Sequence, residues 1–75
     1  MTPLLLPQLG TEITEAEITE WLVADGAKVA AGDPVVTVTT TKMALDLEAP
    51  AAGRLRICTP EGEIAAVGAT LAEIG

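Results

Sequence analysis

Only four of the 75 residues are basic (Lys28, Lys42, Arg54 and Arg56). There is one cysteine, Cys58, and no histidine. Without an imidazole the chain lacks the side chain that most often moves protons or binds metal near neutral pH. One cysteine makes neither an internal disulfide nor a Cys-based zinc site. As a nucleophile Cys58 has no histidine base, so a buried or edge thiol without a catalytic role is expected. Asp46 and Glu48 alternate along one segment, and Arg54 and Arg56 along another. They are expected to face outward, paired across strands or simply solvated. A catalytic carboxylate pair would need a cleft that so short a chain hardly provides. What remains is the amine of Lys42.

Lys42 lies in the run Thr39-Thr40-Thr41-Lys42-Met43-Ala44. It separates two segments, Val35–Thr40 and Ala44–Glu48, that alternate apolar and polar residues. Period-two alternation marks strands with one buried face. Strands this close in sequence form a hairpin, which puts Lys42 at or beside the tip, held out in water on a rigid base. Such a lysine is either an ordinary solvated turn residue or one presented to another protein for covalent modification. Met43 reads as a flexible apolar side chain covering the base of the hairpin.

The elements that must hold this hairpin follow the same period. Arg54–Ile57 alternates strictly. The stretch Glu12–Val23 partly fits a helical spacing, yet Ile18–Val23 also suits a strand that leads into an Asp25-Gly26 turn. Trp21 is then a core or half-buried strand residue. An internal repeat organises the whole. Asp25-Gly26, Gly32 and the strand Val35–Val38 recur as Glu61-Gly62, Gly68 and the strand Leu71–Ile74, at an offset of 36 residues. Strands Ile18–Val23 and Leu55–Cys58 precede the two turns. Two such β-units suggest two sheets facing each other about a pseudo-twofold axis. The glycines are expected at turn positions with positive φ. No phosphate-binding glycine spacing occurs.

Composition sets further bounds. Eleven acidic residues against four basic ones give a net charge of −7, and 49% of residues are hydrophobic, yet Trp21 is the one aromatic. The core must therefore be Val, Leu, Ile and Ala. Disorder is excluded by the apolar content, and nucleic-acid binding by the scarcity of basic and aromatic side chains. The opening MTPLLLPQLG is too short for a signal-peptide core, and no stretch reaches the ~20 apolar residues of a membrane span. The expectation is a monomeric, cytoplasmic, all-β domain over residues 1–75 that binds neither nucleic acid nor membrane.

These segments together resemble a lipoyl/biotinyl attachment domain. The resemblance runs through Leu4–Gly10, Ile18–Val29, Gly32–Val36, Thr40–Met43, Glu48–Gly53 and Val67–Ile74, nearly the whole chain. It implies a flattened β-barrel, or sandwich, of two four-stranded antiparallel sheets with quasi-twofold symmetry. The modified lysine would sit on an exposed hairpin, with the termini at the opposite end. It implies further that a ligase acylates Lys42 with lipoate or biotin, and that Thr40, Thr41 and Met43 flank the recognition site. Thr40 matches the threonine of lipoyl domains. Thr39 and Thr41 stand where those domains carry acidic residues, and Met43 is the biotin-like residue. The opening LLLPQLG and the ITEWLVADG strand favour lipoyl. Two departures are noted: Ala16 replaces a common glycine, and Gly53–Gly62 looks one residue short. The implied function is a non-catalytic carrier. Its lipoyl arm shuttles acyl groups and electrons among a thiamine-dependent 2-oxo acid decarboxylase, an acyltransferase core and dihydrolipoyl dehydrogenase, after loading by a lipoate-protein ligase or lipoyl synthase system. The alternatives are a biotin carrier for a carboxylase or decarboxylase, and an unmodified interaction module.

Overall fold

A computed structural model describes every residue from Met1 to Gly75. There is no helix. The eight strands are β1 (Thr2–Leu5), β2 (Glu15–Trp21), β3 (Lys28–Val29), β4 (Pro34–Thr39), β5 (Ala44–Glu48), β6 (Gly53–Ile57), β7 (Ile64–Ala66) and β8 (Thr70–Ile74). They form two four-stranded sheets, ordered β1-β8-β6-β3 and β5-β4-β2-β7, and every pairing is antiparallel. Advancing each strand number by four converts one order into the other. The twofold relation expected from the repeat is thus present in the topology. It makes the β4–β5 hairpin the counterpart of the junction where β8 meets β1, at the chain's own ends.

The 16 buried residues are all hydrophobic. They form one cluster between the sheets, in a body of 32 × 19 × 17 Å. The pattern of strict alternation fails at one place in each half. Val35 and Val36 are both fully buried, as are Leu71 and Ala72. The cause is a pair of β-bulges. The ladder skips Val35 between Pro34 and Val36, and skips Leu71 where Leu4 pairs with Ala72 and Leu5 with Thr70. An extra residue lets two successive side chains point inward. Val35 and Leu71 are 36 residues apart, so the bulges obey the repeat.

The four turn glycines explain themselves by conformation. Gly26 and Gly62 both sit at φ 86°, and Gly32 and Gly68 at 91° and 90°. Each is the third residue of a turn closed by a backbone bond, such as Ala27 N–H to Ala24 C=O at 3.0 Å. That is the type II position, which disfavours a Cβ. The acidic residue ahead of the first glycine in each half has a separate task. The Asp25 carboxylate accepts the Ile57 N–H at 2.8 Å, and the Glu61 carboxylate accepts the Trp21 N–H at 3.0 Å. Gly26 N–H donates to Leu55 C=O at 2.7 Å, and Gly62 N–H to Ile18 C=O at 2.8 Å. Each half's turn thus bonds onto the other half's strand.

One expectation is corrected, and two pairs of alternatives are decided. The strand expected at Ile18–Val23 runs Glu15–Trp21 instead, because pairing with β7 begins at Glu15 and the chain leaves the ladder before the Ala24–Ala27 turn. Of the two placements open to Cys58, buried or at an edge, the buried one fails: the thiol is exposed, just beyond the end of β6. Asp46, Glu48, Arg54 and Arg56 all face outward and are exposed; they are solvated rather than paired with one another, since β5 and β6 belong to different sheets. The Asp46 carboxylate instead accepts the Thr37 hydroxyl at 2.7 Å. Trp21 is buried as expected, and its indole N–H donates to Thr59 C=O at 2.8 Å.

The two halves of the repeat differ by one residue between equivalent positions. Trp21 and Ile57 are equivalent at an offset of 36, but Ile18 is equivalent to Leu55, at 37, by their shared bonds to Gly62 and Gly26. The extra residue in β2 is Thr19, a bulge between Ile18 and Glu20; β6 has none. Deleting the reciprocal bond should be felt locally and globally. Asp25→Ala is expected to lower stability by ~1 kcal/mol. Gly62→Ala should cost ~1–3 kcal/mol through backbone strain alone, since nothing lies within 4 Å of the added Cβ. Urea denaturation of the two variants checks both values.

Candidate functional site

Thr39 of β4 pairs with Ala44 of β5, and the four residues between them make the turn. Thr40 closes it. Its N–H donates to Met43 C=O at 2.7 Å, and its hydroxyl donates to the same carbonyl at 3.1 Å. The same oxygen accepts the Lys42 N–H at 3.2 Å and the Met43 N–H at 3.0 Å. One hydroxyl therefore uses its hydrogen and both lone pairs inside the turn, an arrangement open to Ser or Thr but closed to an apolar residue. Thr39 extends the support inward, since its hydroxyl shares a hydrogen bond with that of Thr19 on β2. The lysine thus stands on a turn whose backbone is fixed by the side chain of the turn's own first residue, Thr40.

Lys42 itself is free to work. Its side chain is 71% exposed. The hairpin brings Thr40, Thr41, Lys42 and Met43 together, as sequence placed them, but in different roles. Thr40 organises the backbone, Thr41 is exposed, and no hydrogen bond holds its side chain. Met43 does not cover the hairpin base, because its side chain is 47% exposed. The expected covering role fails because the base is already filled by Leu45, Leu47 and the β4 valines behind it.

Sequence reading missed the neighbour of the hairpin, the loop between β1 and β2. Gln8 folds this loop on itself. Its amide donates to Gly10 C=O and, at 3.1 Å, to Ile13 C=O, while Ile13 N–H donates to Gly10 C=O at 3.2 Å. The fold brings the Glu12 carboxylate to 3.8 Å from the Lys42 ammonium, the one ion pair in the structure. Both groups are exposed, so the pair adds little stability. No local motif around Glu12 signals this meeting, which depends on how β1 and β2 are brought together in space. No group of His, Cys, Asp and Glu is arranged to hold a metal ion. The site can present one primary amine, on a rigid base, to a reagent brought from outside.

Comparison with known proteins agrees with this geometry. Residues 2–74 match the Biotin_lipoyl family, described as "Biotin-requiring enzyme". A dihydrolipoyllysine-residue acetyltransferase component of the pyruvate dehydrogenase complex from Corynebacterium glutamicum is 37% identical over 75 residues, covering 99% of this chain and 11% of that protein. A dihydrolipoyllysine-residue succinyltransferase component of the 2-oxoglutarate dehydrogenase complex from Bartonella vinsonii is 34% identical over 74 residues, covering 97% of this chain and 18% of that protein. The chain therefore spans well under a quarter of the length of these relatives. Among solved structures, the lipoyl domain of the 2-oxoglutarate dehydrogenase complex from Azotobacter vinelandii superposes with a TM-score of 0.80, at 21% identity, over 100% of this chain and 96% of that one. At that identity the likeness speaks for the fold.

The division of labour between the two threonines is testable. Thr40→Val removes the acceptor of two amides and should speed hydrogen exchange at Lys42 and Met43 about tenfold, the equivalent of ~1.4 kcal/mol. Thr41→Val should leave both rates unchanged.

Proposed function

The chain belongs to the biotin/lipoyl attachment family, and from that premise we propose that residues 1–75 are one carrier domain, lipoylated on the Nζ of Lys42. The observation that carries the reading is the placement of that lysine. It is the sole basic residue on a hairpin tip; Lys28, Arg54 and Arg56 lie within β3 and β6 of the other sheet. Its amine is exposed, and its backbone is locked by Thr40. Support for lipoate over biotin comes from the relatives, which are named for a dihydrolipoyllysine residue.

The residues fit such a group. An acylated Nζ needs open space around the tip and no acid or base from the carrier, and the hairpin supplies the first while the chain lacks a histidine. When attached, lipoate supplies a dithiolane that takes up an acyl group and reducing equivalents. The chain's own part is mechanical. The sandwich fixes the hairpin, the hairpin projects Nζ, and the tether raises the local concentration of the carried group at each site it visits. Amide formation consumes the ammonium, so net charge passes from −7 to one unit more negative.

On this reading the domain is a non-catalytic part of an acyltransferase component in a 2-oxo acid dehydrogenase complex. Its partners are the thiamine-dependent decarboxylase, the acyltransferase core and dihydrolipoyl dehydrogenase, and a lipoate-protein ligase or lipoyl synthase system loads it. The relatives support a complex of this class by their names. The cytoplasm is the proposed compartment. No helix in the chain is long and apolar enough to cross a membrane.

Intact-mass spectrometry after co-expression with lipoate-protein ligase tests the site. One lipoyl increment is expected on the wild type and on Lys28→Arg, and none on Lys42→Arg. An increment that survives Lys42→Arg would assign the attachment elsewhere.

A further inference from the structure

Two hollows flank the Lys42 hairpin, and Lys42 itself borders only one of them. The first, of about 440 Å³, is lined by Glu12, Glu15, Glu17 and the threonines 39–41, with Ile13, Ala16 and Ile64 among them. The other, of about 270 Å³, lies between the β1–β2 loop and the hairpin. Leu9, Ile13 and Met43 give it an apolar side, and Lys42 forms part of its rim. Leu9 and Ile13 are half-buried, and Met43 leaves nearly half of its surface to water. A hollow with three apolar side chains, open to solvent beside the reactive amine, has apolar surface that a ligand can remove from water.

We infer that this second hollow is the resting seat of the group carried on Lys42. The dithiolane ring of the lipoyl arm folds back onto Leu9, Ile13 and Met43 between visits to partner sites. The inference rests on the lipoyl reading above and adds to it a place for the ring. Three features of the site carry it. The tether starts at the rim of the hollow, so the ring is always within one arm's length of it and binds intramolecularly. The chemistry matches: a ring of carbon and sulfur is apolar and polarizable, and the Met43 thioether is a soft, adaptable contact. The position of Nζ supplies direction. It lies 3.8 Å from Glu12 Oε2, on the side of the β1–β2 loop, whose Leu9 and Ile13 form the apolar wall. The hollow on the other flank also has apolar residues in its wall, Ile13, Ala16 and Ile64, but neither Lys42 nor Met43 borders it.

The seat is shallow and open, so it holds the ring for part of the time and yields it to a partner. The test uses the lipoylated 75-residue chain, with the mass increment verified first. Nuclear Overhauser contacts are expected between the dithiolane protons and the methyl groups of Met43 and Ile13. Reduction of the ring by dithiothreitol should run about threefold slower than for free lipoamide, as it would if the ring were seated some two-thirds of the time. Met43→Ser, at an exposed position, should fold normally by its amide spectrum and bring the rate back to that of lipoamide. Absence of those contacts, or a reduction rate that Met43→Ser leaves unchanged, overturns the seat while leaving Lys42 as the attachment site. Absence of any mass increment overturns the lipoyl reading and the seat with it.

Discussion

The structure depends on a reciprocal exchange of hydrogen bonds between its two halves. The turn that ends the second strand of each half donates an amide to the other half's strand, and its carboxylate accepts an amide from it. Neither half can complete its backbone bonding without its counterpart. This matters in a chain with a thin hydrophobic supply. Domains of this size bury a modest share of their surface, and here a single tryptophan and a set of aliphatic side chains make the core. Interlocked turns let a small aliphatic core hold two sheets in register. They also leave no polar side-chain atom buried without a partner.

From that frame the hairpin inherits its rigidity. The twofold relation pairs the β4–β5 connection with the junction of the chain's own ends, where the Met1 side chain lies beside Gly75. At one of these equivalent places the chain is continuous and projects a lysine. At the other it begins and ends. A carrier needs one fixed point of presentation, and the continuous hairpin provides it. The absence of histidine and the scarcity of aromatics fit the same economy, because the carrier contributes position and the carried group contributes reactivity.

Much of this is legible in the sequence. The alternation in Leu45–Glu48 and Arg54–Ile57 gives the strands. The repeat of Asp25-Gly26 and Glu61-Gly62 gives the symmetry, and the pattern around Lys42 gives the hairpin. What the sequence hides is whatever depends on contacts between distant segments. The paired burial of Val35-Val36 and of Leu71-Ala72 comes from bulges that simple alternation does not encode. The reason for an acid before each glycine lies some 30 residues or more away, on the facing strand. Thr40 reads as a recognition residue by resemblance, yet its hydroxyl is wholly engaged in the turn. The Glu12–Lys42 pair joins residues with no shared motif and exists because the β1–β2 loop folds over the hairpin.

The central claim is that the hairpin presents Lys42 for lipoate. It is tested most directly by loading the purified chain side by side with a lipoate-protein ligase and with a biotin ligase, each with its own cofactor and ATP, and locating the adduct by peptide mass spectrometry. The account predicts a single lipoyl amide on Lys42 and no biotin. A biotinyl adduct on Lys42, or no adduct from either ligase, would contradict it.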